Sequence, residues 1–280
     1  MHLFALPAYP TAFWVVAAFV MILTGLGKSG FGSGFGALAT PLLALTIPVA
    51  DAAALLLPLL IIMDLFTVPY YRERFDRGHL RILLLGSLVG IAVGGYYFDA
   101  LSHNERAMKM GIGALAVLFV LLQLGRSLIV GALSEHRPPS SIGWLMGAVG
   151  GFTSTVAHAG GPPVTIYLLP QRLPRDTYVG TTAILFALIN LVKLIPYYYL
   201  GLLRVSNITT VLVLAPLAYL GVWLGIFLNR HFTDQWFSRV VYGFLLLTGV
   251  QLLTGWSLVD LLGTPRWIYL IFATTMCVDK

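Results

Sequence analysis

Five polar residues stand inside long apolar stretches of this 280-residue chain: Lys28, Asp64, His158, Asn190 and Lys193. A polar or ionisable group at membrane depth is expensive, so each is a functional candidate by default. Lys28 falls in Gly27-Lys28-Ser29-Gly30-Phe31-Gly32-Ser33-Gly34-Phe35-Gly36, where an ammonium beside unpaired amides and helix N-termini would attract an anion. The competing reading is a lysine that carries its charge to the membrane surface. His158 lies between Ser154-Thr155 and Gly160-Gly161-Pro162, as a ligand contact, a proton carrier or simply a hydrogen-bonded packing residue. Asp64 sits a little past the middle of its apolar run, and Asn190 occupies the related place 126 positions later. Lys193 follows Asn190 by one helical turn on the same face. A carboxylate at such depth must be paired with Lys28 or Lys193, or else be protonated. That makes it a structural ion pair or a coupling site for H+ or Na+.

The elements that must position these groups are membrane spans. The chain is 58% hydrophobic and 10% charged, with a mean hydropathy of +0.88, far more apolar than a soluble domain. Runs approaching the roughly 20 residues of a crossing cover 11–29, 33–47, 51–70, 80–99 and 106–125, then 141–157, 160–170, 175–200, 206–229 and 235–254. This predicts an all-α polytopic membrane protein. Residues 1–125 form a first repeat, 126–140 a connector, 141–254 a second repeat and 255–280 a tail at the interface. Pro69-Tyr70-Tyr71 matches Pro196-Tyr197-Tyr198, and Gly90-x-x-x-Gly94 matches Gly221-x-x-x-Gly225, at offsets of 127 and 131. The first two segments of each repeat are separated by a break, glycine-rich in one half and Val156-Ala157-His158-Ala159-Gly160-Gly161-Pro162-Pro163 in the other. Paired interruptions of this kind point to a transport site, because unpaired backbone is tolerated in lipid only where protein or a wet cavity satisfies it.

The first apolar run follows Met1-His2-Leu3 without a basic leader, so no cleavable signal peptide is expected. Cys277 is the single cysteine, which excludes an internal disulfide or a cysteine-based zinc site. The formal charge of +6 resides mostly in short loops, where it sets topology rather than binding nucleic acid. If each broken stretch is a hairpin or a pair of spans, Arg72, Arg74, Arg77, Arg81, Arg126, Arg137, Arg172, Arg175, Arg230 and Arg239 share one side. Arg106, Lys109 and Arg204 take the other, ten against three. If each crosses once the division is seven against six, which carries no orientation signal. The first scheme is preferred, and five segments per half then make the repeats inverted, with the first pair in each broken or re-entrant.

Two short motifs compete for the same residues. Gly27-Lys28-Ser29 resembles the end of a phosphate-binding loop, but Ile22 stands where that loop requires glycine and no strand precedes it. Gly27-Lys28-Ser29-Gly30 with Ala157-His158-Ala159-Gly160-Gly161 also resembles the serine and histidine segments of rhomboid proteases. An intramembrane serine protease using Ser29 and His158 is therefore an alternative. It is disfavoured because the two segments occupy equivalent places in a duplicated chain.

Gly27 to Gly32 with Pro41-Leu42, the run Gly151 to Pro163, Tyr167-Leu168-Leu169-Pro170, Gly180-Thr181-Thr182-Ala183 and Asn190-x-x-Lys193 together resemble the sulfite exporter TauE/SafE family. The resemblance implies a multi-pass permease of the bacterial inner membrane that moves sulfite or organosulfonates. In that reading Lys28 supplies charge. Amides around Gly30, Gly32, Gly34, Gly160 and Gly161, next to Pro162, supply donors, as do the hydroxyls of Ser29, Ser33, Ser154 and Thr155. Asp64, Asn190, Lys193 and His158 serve gating or ion coupling. The partners are a small anion, a coupling H+ or Na+ and the bilayer, with no metal, cofactor or ATPase module. The GxxxG pairs fit packing within one bundle or a homodimer. A passive anion channel is the other alternative. For the topology, Asn207→Cys in a Cys277→Ser background is expected to react with an impermeant thiol reagent from outside the cell and Gly78→Cys to resist it; the opposite pattern discards the inverted scheme.

Overall fold

The computed structural model describes residues 9–30, 38–125, 137–203, 207–229 and 235–255, and every element among them is helical. They are α1 (Thr11–Gly30), α2 (Ala39–Leu43), α3 (Val49–Tyr71), α4 (Arg77–Ser102), α5 (Glu105–Leu124), α6 (Ser140–Ala157), α7 (Gly161–Leu168), α8 (Arg175–Tyr199), α9 (Asn207–Asn229) and α10 (Gln235–Thr254). A 3₁₀ turn, Leu169–Gln171, continues α7. Among the described residues, Thr11–Gly30, Val49–Tyr71, Arg77–Ala100, Arg175–Tyr199 and Ile208–Leu228 are long and apolar enough to span a bilayer. Large apolar side chains such as Val15, Leu65, Leu85, Ile195 and Leu212 point outward from them, as lipid-facing surfaces do.

Prolines set where α3 and α8 begin. Pro48 and Pro174 hold the same extended backbone, φ −54° and ψ 143° in one and φ −52° and ψ 146° in the other. Each ends the preceding chain direction and opens the helix without needing an amide bond. Asp51 and Asp176 then lie in the first turns, where the helix dipole favours an acid.

Two helix pairs are joined through glycine. A Cβ on Gly90 would strike Ala148 O of α6, and one on Gly94 would come within 3.0 Å of Thr155 Cβ. A Cβ on Gly221 of α9 would lie 2.6 Å from Ile22 O, and one on Gly25 would lie 2.8 Å from Val222 N. Contacts advance together along both chains, so α4 runs parallel to α6 and α1 parallel to α9. Ser87 Oγ donates to Gly147 O at 3.1 Å, and Ser29 Oγ donates to Val222 O at 2.8 Å. With lipid as apolar as the side chains, such close backbone approach is what holds helices together.

Contacts of α3 with α8 and of α5 with α10 are antiparallel. Asp64 meets Asn190 while Arg74, beyond the end of α3, meets Asp176 at the start of α8. Gly113 of α5 approaches Gly249 and Leu253 of α10, and Phe119 meets Tyr242 edge to face. α7 turns back along α6, with Gly150 beside Val164 and Gly143 beside Tyr167. The chain thus returns to the end where α6 began, and Gln171 Nε2 donates to Pro138 O at 3.0 Å.

The sequence leaves the first pair of segments in each half as broken or re-entrant. In the described parts of 33–47 and 160–170, α2 has 5 residues and α7 has 8, too short at 1.5 Å per residue to cross about 30 Å of hydrocarbon. One correspondence is revised: the tyrosine match is displaced by one residue. Tyr71 and Tyr197, 126 apart, are both fully buried, and their hydroxyls donate to Ser29 O at 2.8 Å and Thr155 O at 2.9 Å. Side-chain hydrogen bonding, not the Pro-Tyr-Tyr spelling, fixes that register.

Overpacking a glycine contact typically costs about 1–3 kcal/mol, more where backbone cannot yield. Gly90→Leu and Gly221→Leu are therefore expected to lower the melting temperature in detergent. Gly111→Ala, where a Cβ meets nothing within 4 Å, is expected to be neutral or slightly stabilising by helix propensity.

Candidate functional site

The five polar residues come together in two linked groups where α3 crosses α8. Lys28 Nζ, from the last turn of α1, pairs with Asp64 Oδ1 at 2.6 Å and also donates to Leu60 O at 3.2 Å. Asn190 Nδ2 donates to the other carboxylate oxygen at 2.8 Å. An ionised carboxylate only accepts, so the Asn190 amide nitrogen must be the atom that faces it. Lys193, one turn further along α8, is fully buried. Its Nζ reaches Ser154 O at 3.0 Å, Ser154 Oγ at 3.1 Å and His158 Nδ1 at 2.8 Å. Three acceptors match the three N–H donors of an ammonium.

His158 forms the break itself. It takes left-handed backbone, φ 53° and ψ 24°, which costs a non-glycine residue about 1–2 kcal/mol. Two amides fold back over the end of α6, His158 N–H onto Ser154 O at 3.0 Å and Ala159 N–H onto Thr153 O at 3.2 Å. The ring is fixed on both sides. Nε2 lies 3.0 Å from Ala53 O, and a carbonyl only accepts, so the proton is on Nε2. Nδ1 is then the lone pair that receives the Lys193 ammonium.

The exposed carbonyls of α6's last turn are nearly all taken up by side chains from other helices. Ser154 O receives Lys193, Thr155 O receives Tyr197, and Ala157 O receives Thr40 of α2 at 2.8 Å. Thr153 Oγ1 donates to Ala159 O at 3.1 Å. Helix ends in a membrane need such partners. Tyr71, Tyr197 and Thr40 were not among the sequence candidates, although the paired Pro-Tyr-Tyr spellings carried the signal: a tyrosine pointing inward from an apolar helix needs an acceptor.

Several predicted donors have other work. The single Ser29 hydroxyl proton lies between Gly25 O and Val222 O, both 2.8 Å from Oγ, and so pins α1 to α9. Gly30 faces Gly225 of α9. Thr155 Oγ1 bonds back to Gly151 O at 2.9 Å. Gly160 is pressed against Gly150 and Ser154. Gly161 begins α7, with Pro162 next; because Pro162 and Pro163 have no N–H, Gly161 and Val164 are the amide donors of that first turn. Gly32, Ser33 and Gly34 lie outside the described residues. Ser29 and His158 share no hydrogen bond, each being committed elsewhere, so the nucleophile–base contact that a protease needs is not formed.

Charged side chains are thus gathered at an interior crossing of a helical protein with several membrane-length apolar helices. By sequence comparison, residues 17–252 match the family model described as Sulfite exporter TauE/SafE, and the chain belongs to that family. No curated protein and no solved structure matches it.

Breaking a buried ion pair from one side costs about 3–5 kcal/mol, whereas removing both partners is often nearly neutral. Asp64→Leu and Lys28→Met are each expected to lower thermal stability strongly in detergent, and Lys28→Met/Asp64→Leu to recover much of the loss. Additive losses in the double variant would show that the two groups do not depend on each other.

Proposed function

We propose that this chain is a secondary transporter of a small sulfur oxyanion, sulfite or an organosulfonate, across the bacterial inner membrane, with the substrate taken up at the α3–α8 crossing. The observation that carries this reading is the buried cluster itself. Lys28 and Lys193 face one carboxylate, Asp64, and Lys193 is held by neutral acceptors alone. A cation without a counter-ion inside a membrane is costly, and an anion that enters beside it recovers that cost. The description of the family as exporters supports the direction and the sulfur chemistry.

An inverted duplication supports alternating access. Under an exchange of residues 1–125 with 141–254, the α4–α6 contact maps onto α9–α1, and α3–α8 and α5–α10 map onto themselves. At the residue level Gly90 with Ala148 corresponds to Gly221 with Ile22, and Tyr71 with Ser29 corresponds to Tyr197 with Thr155. Asp64 and Asn190, the repeat-related pair, bond to each other; a pseudo-twofold axis in the membrane plane would pass between them. The antiparallel crossings of α3 with α8 and α5 with α10 fit halves of opposite orientation, and the α6–α7 hairpin fits a re-entrant segment. Residues 126–140 then link the halves and 255–280 lie outside them. Asp64, hydrogen-bonded by Asn190, is the group through which H+ or Na+ coupling would act. A homodimer is compatible with this arrangement and is not required by it.

Lys28→Gln removes the charge with little change in length. An ionic hydrogen bond to an oxyanion contributes about 1.5–3 kcal/mol, about ten- to a hundredfold in affinity. Sulfite or sulfoacetate binding to purified protein is expected to weaken by at least the lower factor, while the loop change Arg126→Gln has no effect. Unaltered binding in Lys28→Gln would move the substrate site away from α1. A passive channel would instead show flux into liposomes that does not saturate with anion concentration.

A further inference from the structure

The formal charge of the buried cluster does not sum to zero. Lys28 and Lys193 contribute +1 each and Asp64 −1, while Asn190 and Ser154 are neutral, leaving +1. His158 adds nothing, because Nε2 carries the proton toward Ala53 O and Nδ1 accepts from Lys193. A second ring proton would point at an ammonium. The helix ends at the break cancel as well, since α6 finishes there with about half a negative charge and α7 begins there with about half a positive one. All five key side chains are at most 8% exposed. The other acids among the described residues, Asp51, Glu73, Asp76, Asp99, Glu105 and Asp176, stand at or near helix ends.

We propose that the site is built for a single negative charge, so that it takes a singly charged oxyanion, and takes a doubly charged one only together with a proton held on Asp64. This rests on the anion-site reading above and adds the charge class of the ligand. A monoanion brings the cluster to neutrality with Asp64 ionised and still bonded to Asn190. A dianion leaves it at −1 unless one proton from solvent joins the Asp64 carboxylate, releasing Lys28 to the substrate. Asp64 is the group placed for this. Lys28 faces it from α1, Asn190 and Lys193 from α8, and His158 stands behind Lys193. α9 presents Tyr219 to Phe66 instead, α2 carries no ionisable side chain, and Glu105, Arg106 and Lys109 of α5 lie in its first turns. His158 can take the proton only if Lys193 withdraws.

Methanesulfonate and sulfate separate charge from shape, because the two tetrahedral anions differ by a methyl group in place of one charged oxygen. Titration calorimetry on the purified full chain, at about pH 6 and about pH 8 and in two buffers of different ionisation enthalpy, counts the protons taken up. Methanesulfonate is expected to bind with the same affinity at both pH values and no proton uptake. Sulfate is expected to bind at least about tenfold more weakly at the higher pH, to take up one proton, and to tighten by up to about tenfold per pH unit as pH falls. Asp64→Asn, which raises the cluster to +2, is expected to abolish that pH dependence and turn the preference toward sulfate. Should this variant not fold, the proton count on the unaltered protein decides alone. Sulfate binding as tight as methanesulfonate binding without proton uptake overturns the proposal while leaving the anion site standing. A pH dependence that survives in Asp64→Asn also overturns it, by putting the proton on His158. Failure of both anions to bind removes the anion-site reading and this proposal with it.

Discussion

The contact on which the interior depends is the ion pair between Lys28 and Asp64, closed from the far side by Asn190. A lone carboxylate at this depth would have to lose its charge or draw in water, and either would loosen the crossing of α3 and α8. With Lys28 on one oxygen and Asn190 on the other, the charge is held between three helices, α1, α3 and α8. Among the described residues the second cation then has no acid left to meet. Lys193 is satisfied by a helix terminus and a neutral imidazole, so its donors are bonded while its charge is not balanced. Hydrogen-bond satisfaction and charge neutrality are separate requirements, and only the first is met at Lys193 by the described residues.

Much of this was legible in the sequence because a membrane leaves few reasons for a polar residue. Lys28, Asp64, His158, Asn190 and Lys193 were identified by contrast with their neighbours, and the 126-residue separation of Asp64 and Asn190 linked the halves. What remained hidden was direction. Ser29 and Thr155 read as donors for a ligand, yet each bonds to a backbone carbonyl one turn earlier, and Ser29 bonds to α9 as well; a hydroxyl on a helix always has that nearby acceptor, and spelling does not reveal which it chooses. Tyr71 and Tyr197 were visible only as repeat markers, because their value lies in carbonyls 42 residues away. Segment length left the choice between a span and a hairpin open: 160–170 is apolar enough for lipid, but its glycines and prolines leave α7 a helix of 8 residues.

The break at His158 shows how an irregular backbone is maintained in a setting hostile to it. Its left-handed turn is disfavoured locally and retained by contacts from outside: Ala53 of α3, Lys193 of α8 and Thr40 of α2 all converge on it. A residue over-determined from three helices reports the position of each. Movement of α8 relative to α6 must break the Lys193 grip on Ser154 and His158, the same atoms that carry the unbalanced charge.

The glycine contacts join α4 with α6 and α1 with α9 at separations that admit no Cβ. Each pairs a helix from before residue 126 with one from after residue 140. Neither stretch therefore has an inside of its own: separated, each would present to lipid a bare glycine groove that only the other can fill.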